Sequence, residues 1–357
     1  MLEKIIAPEN LNSAYVKVIQ NKGTHGSDGM TTQELLPFLE LHGEELRHSI
    51  LNGTYSPQPV RQVNIPKGNG QVRTLGIPTA LDRLVQRAVV QVLMPIYEAK
   101  FAETSYGFRP SRSVEDAVKM CVNYFENNYV WTVDMDLEKF FDTVNRKKLM
   151  AVLARDIHDK RVLDLISKFI NSGAVRNKHH VNTSAGIPQG GPLSPLLANV
   201  MLNELDKELI SRHENFVRYA DDMLIFCRSR ASANQALKHI TPFIQENLYL
   251  RINHEKTIIT HAEKLKFLGY GFFESSGKFY IKIHEDSAVK FRERITELAY
   301  HVDEPDGMRK FQQYITAWIS HYRLADIEKF LRENCVGIGR SLQNTFAKIW
   351  LNQQQNL

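Results

Sequence analysis

Two acids stand side by side in Tyr219-Ala220-Asp221-Asp222, flanked by the strand-forming residues Phe216-Val217 and Met223-Leu224-Ile225-Phe226. Adjacent carboxylates are costly inside a sheet, because each loses water and the two charges repel in a low dielectric. A tight turn between two strands lowers that cost by projecting both acids from the sheet edge. Oxygen-only ligands of this kind select hard cations such as Mg²⁺. A solvated turn alone explains an acidic pair, since Asp is common in turns. A second acidic site changes the balance. In Val133-Asp134-Met135-Asp136, period-two alternation puts Asp134 and Asp136 on one face of an apolar strand. Strand acids converging on turn acids suit phosphoryl transfer, in which two metal ions about 3.5–4 Å apart activate the attacking oxygen and stabilise the leaving one. That reaction needs carboxylates and positioning more than a protein nucleophile. No Ser-His-Asp, Cys-His or zinc-spaced histidine pattern competes with it.

The rest of the chain must position these acids. Its 357 residues are 43% apolar and 24% charged, the composition of an ordinary globular protein, with a net charge of +5 that permits a polyanionic partner. Cys121, Cys227 and Cys335 are far apart, so reduced buried thiols are expected in place of a disulfide framework or a zinc knuckle. Residues 1–9 carry acids and no long apolar core, unlike a signal peptide, and no apolar run of about 18 residues predicts a membrane span. The expected location is the cytoplasm.

Apolar periodicity predicts helices over 1–20, 31–51, 80–99, 113–127, 146–155, 160–172, 194–212 and 231–247, and through most of the last 70 residues. Strands are expected at 60–66 and 71–77, joined by Lys67-Gly68-Asn69-Gly70 as a basic hairpin with Arg73 on its return arm. Further strands are expected at 131–137 and 215–228, the latter interrupted by the acidic turn, and within 250–283. The pattern is α+β.

Ordered motifs then bring in a family. Asn21-Lys22-Gly23, Gly26-Ser27-Asp28-Gly29, Ile65-Pro66-Lys67, Tyr106-Gly107-Phe108-Arg109-Pro110, Asp136 to Asp142, Gly186 to Asn199, Tyr219 to Asp222 and Phe267-Leu268-Gly269 follow one another along residues 1–325. In this order they resemble the bacterial group II intron reverse transcriptase/maturase family. The resemblance implies a right-hand polymerase with fingers, a palm of antiparallel sheet plus helices, and an α-helical thumb. It divides the chain into an N-terminal extension with fingers (1–130), a palm with an inserted helical segment (131–283), and a thumb with a truncated or divergent maturase-like region (284–357). It implies RNA-directed DNA synthesis from a DNA or RNA primer with dNTPs, open also to DNA templates, supported by two Mg²⁺ ions for which Mn²⁺ substitutes.

Roles follow residue by residue. Asp136, Asp221 and Asp222 match the metal ligands, with Asp134 ranked below Asp136 and the Met135 or Leu137 carbonyl as a further donor. Phe141 falls at the sugar gate, where a bulky ring clashes with a ribose 2′-OH. Lys67 and Arg73 suit the incoming triphosphate. Gln189 and Gly190 lie where the family meets template and nascent pair. Lys256 matches a lysine that protonates the pyrophosphate leaving group. Ile315, Trp318, Ile319 and Tyr322 repeat at helical spacing and are read as helix packing.

After about Asp326 the chain departs from the family's strongly basic, Trp-rich stretch, with no basic DNA-binding tail and no Cys-rich endonuclease domain. Binding of group II intron RNA and cleavage of target DNA are therefore left open. The alternatives are an intron-bound maturase acting as a splicing cofactor, a domesticated enzyme of host repair or defence, a non-catalytic RNA-binding relative, and an RNA-templated RNA polymerase.

Overall fold

A computed structural model describes residues 1–66, 72–176, 179–181 and 185–334. Lys67 and Cys335 lie outside them. The first expected helix is two: α1 (Leu2–Ile5) and α2 (Pro8–Gln20). Pro8 lacks an N–H and disfavours helix in the residue before it, so the chain breaks at Ile6-Ala7 and restarts on the proline. α3 (Leu35–Leu51) begins later than expected, because the Thr31 N–H and hydroxyl both donate to Glu34 in a turn ahead of the helix.

β1 (Val60–Pro66) and β2 (Val72–Ile77) pair antiparallel, with Ile65 opposite Arg73. α4 (Ala80–Glu98) starts on a Thr79 cap, and α5 (Val114–Glu126) on a Ser113–Asp116 capping box. β3 (Trp131–Met135), α6 (Phe140–Thr143), α7 (Arg146–Leu153) and α8 (Lys160–Ile170) follow. A short hairpin, β4 (Ala174–Arg176) and β5 (His179–Val181), then adds β4 parallel to β1, so this sheet is mixed. Three-residue strands are too short to show alternation, which hides this hairpin from the sequence.

α9 (Ser194–Ser211) leads into β6 (Asn215–Tyr219) and β7 (Asp222–Cys227). α10 (Arg230–Pro242) ends in a π turn, Phe243–Asn247. β8 (Ile258–His261), β9 (Lys266–Phe267), β10 (Tyr270–Ser275) and β11 (Lys278–Ile283) come next. The helices α11 (Glu285–Tyr300), α12 (Gly307–His321) and α13 (Ile327–Asn334) close the described chain.

The central sheet runs β6-β7-β3-β8 and is antiparallel throughout. Its two faces serve two cores. Val133, Met135, Met223, Ile225 and Phe216 join the core built on α4 and α7 to α10. Val217, Leu224 and Phe226 join the core shared with α5, β9 to β11 and α11 to α13. Burying each such side chain contributes roughly 1.5–3 kcal/mol, which fixes register: a slip of one residue would exchange the two faces. Ile315, Trp318, Ile319 and Tyr322 are buried in the second core, with Trp318 stacked on Phe330 at 4.9 Å, so this stripe is helix packing as expected. Among the described residues no helix is long and apolar enough to cross a membrane.

Candidate active site

Pairing of β3 with β7 places Asp134 opposite Leu224 and Met135 opposite Met223, so the next step sets Asp136 against Asp222. Alternation then puts Asp134, Asp136 and Asp222 on one face, the face of Leu224 and Phe226. Asp221 occupies the two-residue turn between the paired Tyr219 and Asp222. Ala220 takes φ 58°, the left-handed value that the first position of a primed hairpin turn requires. Glycine is the usual residue there, and an alanine stores on the order of 1 kcal/mol of strain.

Three observations show how that turn is held. Arg218, fully buried, donates through Nε and Nη2 to both carboxylate oxygens of Asp206 on α9, at 2.7 and 2.5 Å. Its Nη1 donates to Asn199 Oδ1 and to the Ala220 carbonyl, both at 2.9 Å. Asn199 in turn donates to the Gly107 carbonyl at 2.8 Å, and a Cβ on Gly107 would stand 2.3 Å from the Ala220 nitrogen. The strained turn is thus clamped between a bidentate ion pair and a glycine backbone. Arg218, Asp206 and Asn199 carry no role in the sequence reading. The available signal was an arginine inside an apolar strand, which burial obliges to find a carboxylate.

The acids are electrostatically strained. Burial, then the charges of Asp222 and Asp136, raise Asp134 to about 7. Asp222 keeps its residue exposed at the strand end, yet crowding strips water from its carboxylate, and with Asp221 and Asp136 this raises it to about 6. Among the described residues no three His, Cys, Asp or Glu side chains form a group that could hold a metal ion as they stand. Uncompensated carboxylates repel one another, and a hard divalent cation among these oxygens would remove the penalty that their raised values report. The donors are all carboxylate oxygens, the kind that a hard divalent cation takes.

The other candidate residues fall into two groups. The Asp136 carbonyl accepts from the Asn253 N–H at 2.9 Å, and the Asp136 N–H donates to Thr257 Oγ1 at 3.2 Å. This ties the Asn253–Thr257 turn, with exposed Lys256, to the acidic edge. On the other side, Phe141 and Gln189 line one cavity of about 380 Å³ with Thr74, Gly76 and Arg146. Arg73 Nε donates to Gln189 Oε1 at 3.1 Å, and the Gly76 N–H to the Gln189 carbonyl at 2.7 Å. Gly190 has φ 130°, and a Cβ there would come within 2.6 Å of the Gly76 oxygen, so the loop lies tight on β2. Arg73, Phe141, Gln189 and Gly190 are thus brought together, whereas Lys67 lies outside the described residues.

Paired strand acids and turn acids on an antiparallel sheet, with a mixed-sheet lobe before it and helices after it, define a right-hand nucleic-acid polymerase. The sequence model of the reverse transcriptase (RNA-dependent DNA polymerase) family matches residues 65–272, which include every acid above. The chain is 33% identical over 348 residues to Protein YkfC of Escherichia coli, covering 85% of this chain and 91% of that one. It is 30% identical over 347 residues to the group II intron-encoded protein LtrA of Lactococcus lactis, covering 77% of this chain and 58% of that protein. Apo telomerase from Candida tropicalis shares the fold, with a TM-score of 0.55 at 14% identity over 82% of this chain and 59% of that one. This chain belongs to the reverse transcriptase family, in its group II intron-like branch. Its activity is that of an RNA-directed DNA polymerase.

Proposed function

We propose that the chain extends a DNA or RNA primer on an RNA template with dNTPs, using Asp136, Asp221 and Asp222 to hold two Mg²⁺ ions. The observation that carries this reading is the strand register, which sets Asp136 against Asp222 beside the Asp221 turn. When bound, such ions activate the primer hydroxyl and stabilise the departing pyrophosphate oxygen. Asp136 and Asp221 are the principal ligands, with Asp222 completing the set. Lys256, on the turn tied to Asp136, donates a proton to pyrophosphate as it leaves.

Arg73 neutralises the incoming triphosphate, together with Lys67. Phe141 closes the sugar pocket against a 2′-OH, supported by its place in the cavity that Gln189 also lines. Gln189 and Gly190 meet the template and the nascent pair, where a glycine permits close backbone approach. The lobes are fingers (1–130), palm (131–283) and thumb (284–357). Cys121 and Cys227 are buried free thiols, which suits a reducing bacterial cytoplasm. A second reading, service to a group II intron RNA during splicing, is favoured by the likeness to LtrA, of whose length the chain spans 58%.

Extension of a labelled DNA primer on matched RNA and DNA templates, with dNTPs or rNTPs and Mg²⁺, tests the proposal. Full-length product on RNA with dNTPs is expected. Product only with rNTPs would instead assign RNA synthesis, and binding without extension a non-catalytic role.

A further inference from the structure

Two arginines on α4 have no place in the chemistry above. Arg83 and Arg87 lie one helical turn apart, beside Gln86 on the same side of the helix. Arg83 Nε and Nη2 and Arg87 Nε are shut from solvent without a hydrogen-bond acceptor. Among the described residues neither guanidinium makes an ion pair; the nearest carboxylate acting on Arg83 is Asp28, at a distance. Burial pushes both arginines below their ordinary values. Neighbouring Asp82 does not neutralise them, since its oxygens are taken by Tyr55, Thr79 and the Gln58 N–H.

Two like charges, half-buried and with three of their nitrogens lacking an acceptor, are an unfavourable arrangement for a lone chain. Each orphaned donor calls for a partner. Two glycine-bearing loops frame the pair. A Cβ on Gly23 would stand 2.2 Å from Arg83 Nη1, and one on Gly191 would stand 2.4 Å from Gln86 Oε1. Gly191 belongs to the loop of Gln189 and Gly190, to which the proposed function assigns the template and the nascent pair.

We infer that Arg83 and Arg87 form a phosphate-binding site for the backbone of a nucleic-acid strand, the template strand as it passes the Gln189–Gly191 loop. The inference rests on the polymerase reading for the identity of the strand, and on the orphaned guanidinium groups for the site. Arginine suits it, because the planar fork meets phosphate oxygens bidentately.

The test is binding, measured without dNTPs by fluorescence anisotropy of a labelled primer on an RNA template with a single-stranded 5′ overhang, across a KCl series. Replacing both residues by glutamine (R83Q/R87Q), which removes the charge and keeps a shorter polar side chain, should weaken binding about tenfold or more. It should also flatten the dependence of log affinity on log salt by roughly 0.7–0.9 for each arginine lost. Lysine at both positions should restore much of the slope. A methylphosphonate scan of the template in the wild-type protein should find a sensitive linkage to which the glutamine variant is indifferent, and this arm holds even where one variant folds poorly. An unchanged slope, or equal sensitivity of both proteins at every linkage, overturns the inference. A several-fold rise in the dNTP KM with strand affinity intact assigns the phosphate to the nucleotide and overturns the strand assignment. Because binding is read without catalysis, failure of the polymerase reading would appear separately, as wild-type protein that binds and does not extend.

Discussion

At the residue scale, charge decides what the site does. Asp134 and Asp222 are raised to about 7 and about 6 from an ordinary 3.8, so the folded chain holds their protons more tightly than the unfolded chain. Between about pH 4 and 7 the native state therefore binds more protons than the unfolded one, and metal-free stability falls as pH rises through that window. Metal and proton compete for the same oxygens. The Mg²⁺ concentration for half-maximal extension should climb as pH drops below about 6, read from metal titrations at several pH values; a requirement flat from pH 5 to 8 would contradict the coupling. Phe141 makes a second residue-level prediction. Phe141→Ala should raise ribonucleotide incorporation relative to dNTPs roughly tenfold to a hundredfold, while buried-ring loss lowers stability by about 3–5 kcal/mol. The ratio of the two nucleotides is the proper reading, and an unchanged ratio removes Phe141 from the gate.

At the scale of elements, the acidic turn depends on what stands behind it. Gly107→Ala drives a methyl group into the Ala220 backbone. A displacement near 1 Å at the reacting groups is worth about a hundredfold in rate, so kcat should fall by about that factor; near-normal kcat would mean that the turn floats free of Gly107. Arg218→Met alone strands Asp206 in the core and should cost about 3–5 kcal/mol in chemical denaturation. Arg218→Met with Asp206→Leu should recover most of that stability and yet leave extension impaired, because the Arg218 donor to the Ala220 carbonyl is gone. The partnership itself was not legible in the sequence. Arg218 stood visibly in an apolar strand, but the choice of Asp206, twelve residues back on another element, depends on how α9 lies across the sheet. The turn, by contrast, was legible, since adjacent acids between two apolar runs allow few other geometries. The β1–β2 hairpin was readable through its alternation, while the β4–β5 hairpin and the break at Pro8 show the limits of periodicity over three or four residues.

For the molecule as a whole, one antiparallel sheet between two cores carries the acids at its edge. Burial patterns made the α+β class and most helices legible. The parallel addition of β4 to β1 and the sharing of one core by β9 to β11 with α11 to α13 depend on contacts distant in sequence. Because repulsion among carboxylates works against folding, bound metal should stabilise the native state as a ligand does, by about 2.7 kcal/mol at a hundred times its dissociation constant. Mg²⁺ should raise the melting temperature at pH 7, EDTA should reverse it, and the shift should shrink towards pH 5. The proposed chemistry turns on Asp221 as a metal ligand for RNA-templated DNA synthesis. Primer extension on RNA with dNTPs and Mg²⁺, comparing the wild-type chain with Asp221→Asn at matched folded concentration, tests it most directly. Steady extension by the wild type is expected, with a loss on the order of a thousandfold or more in the variant; extension by Asp221→Asn at the wild-type rate would mean that Asp221 holds no metal needed for the reaction.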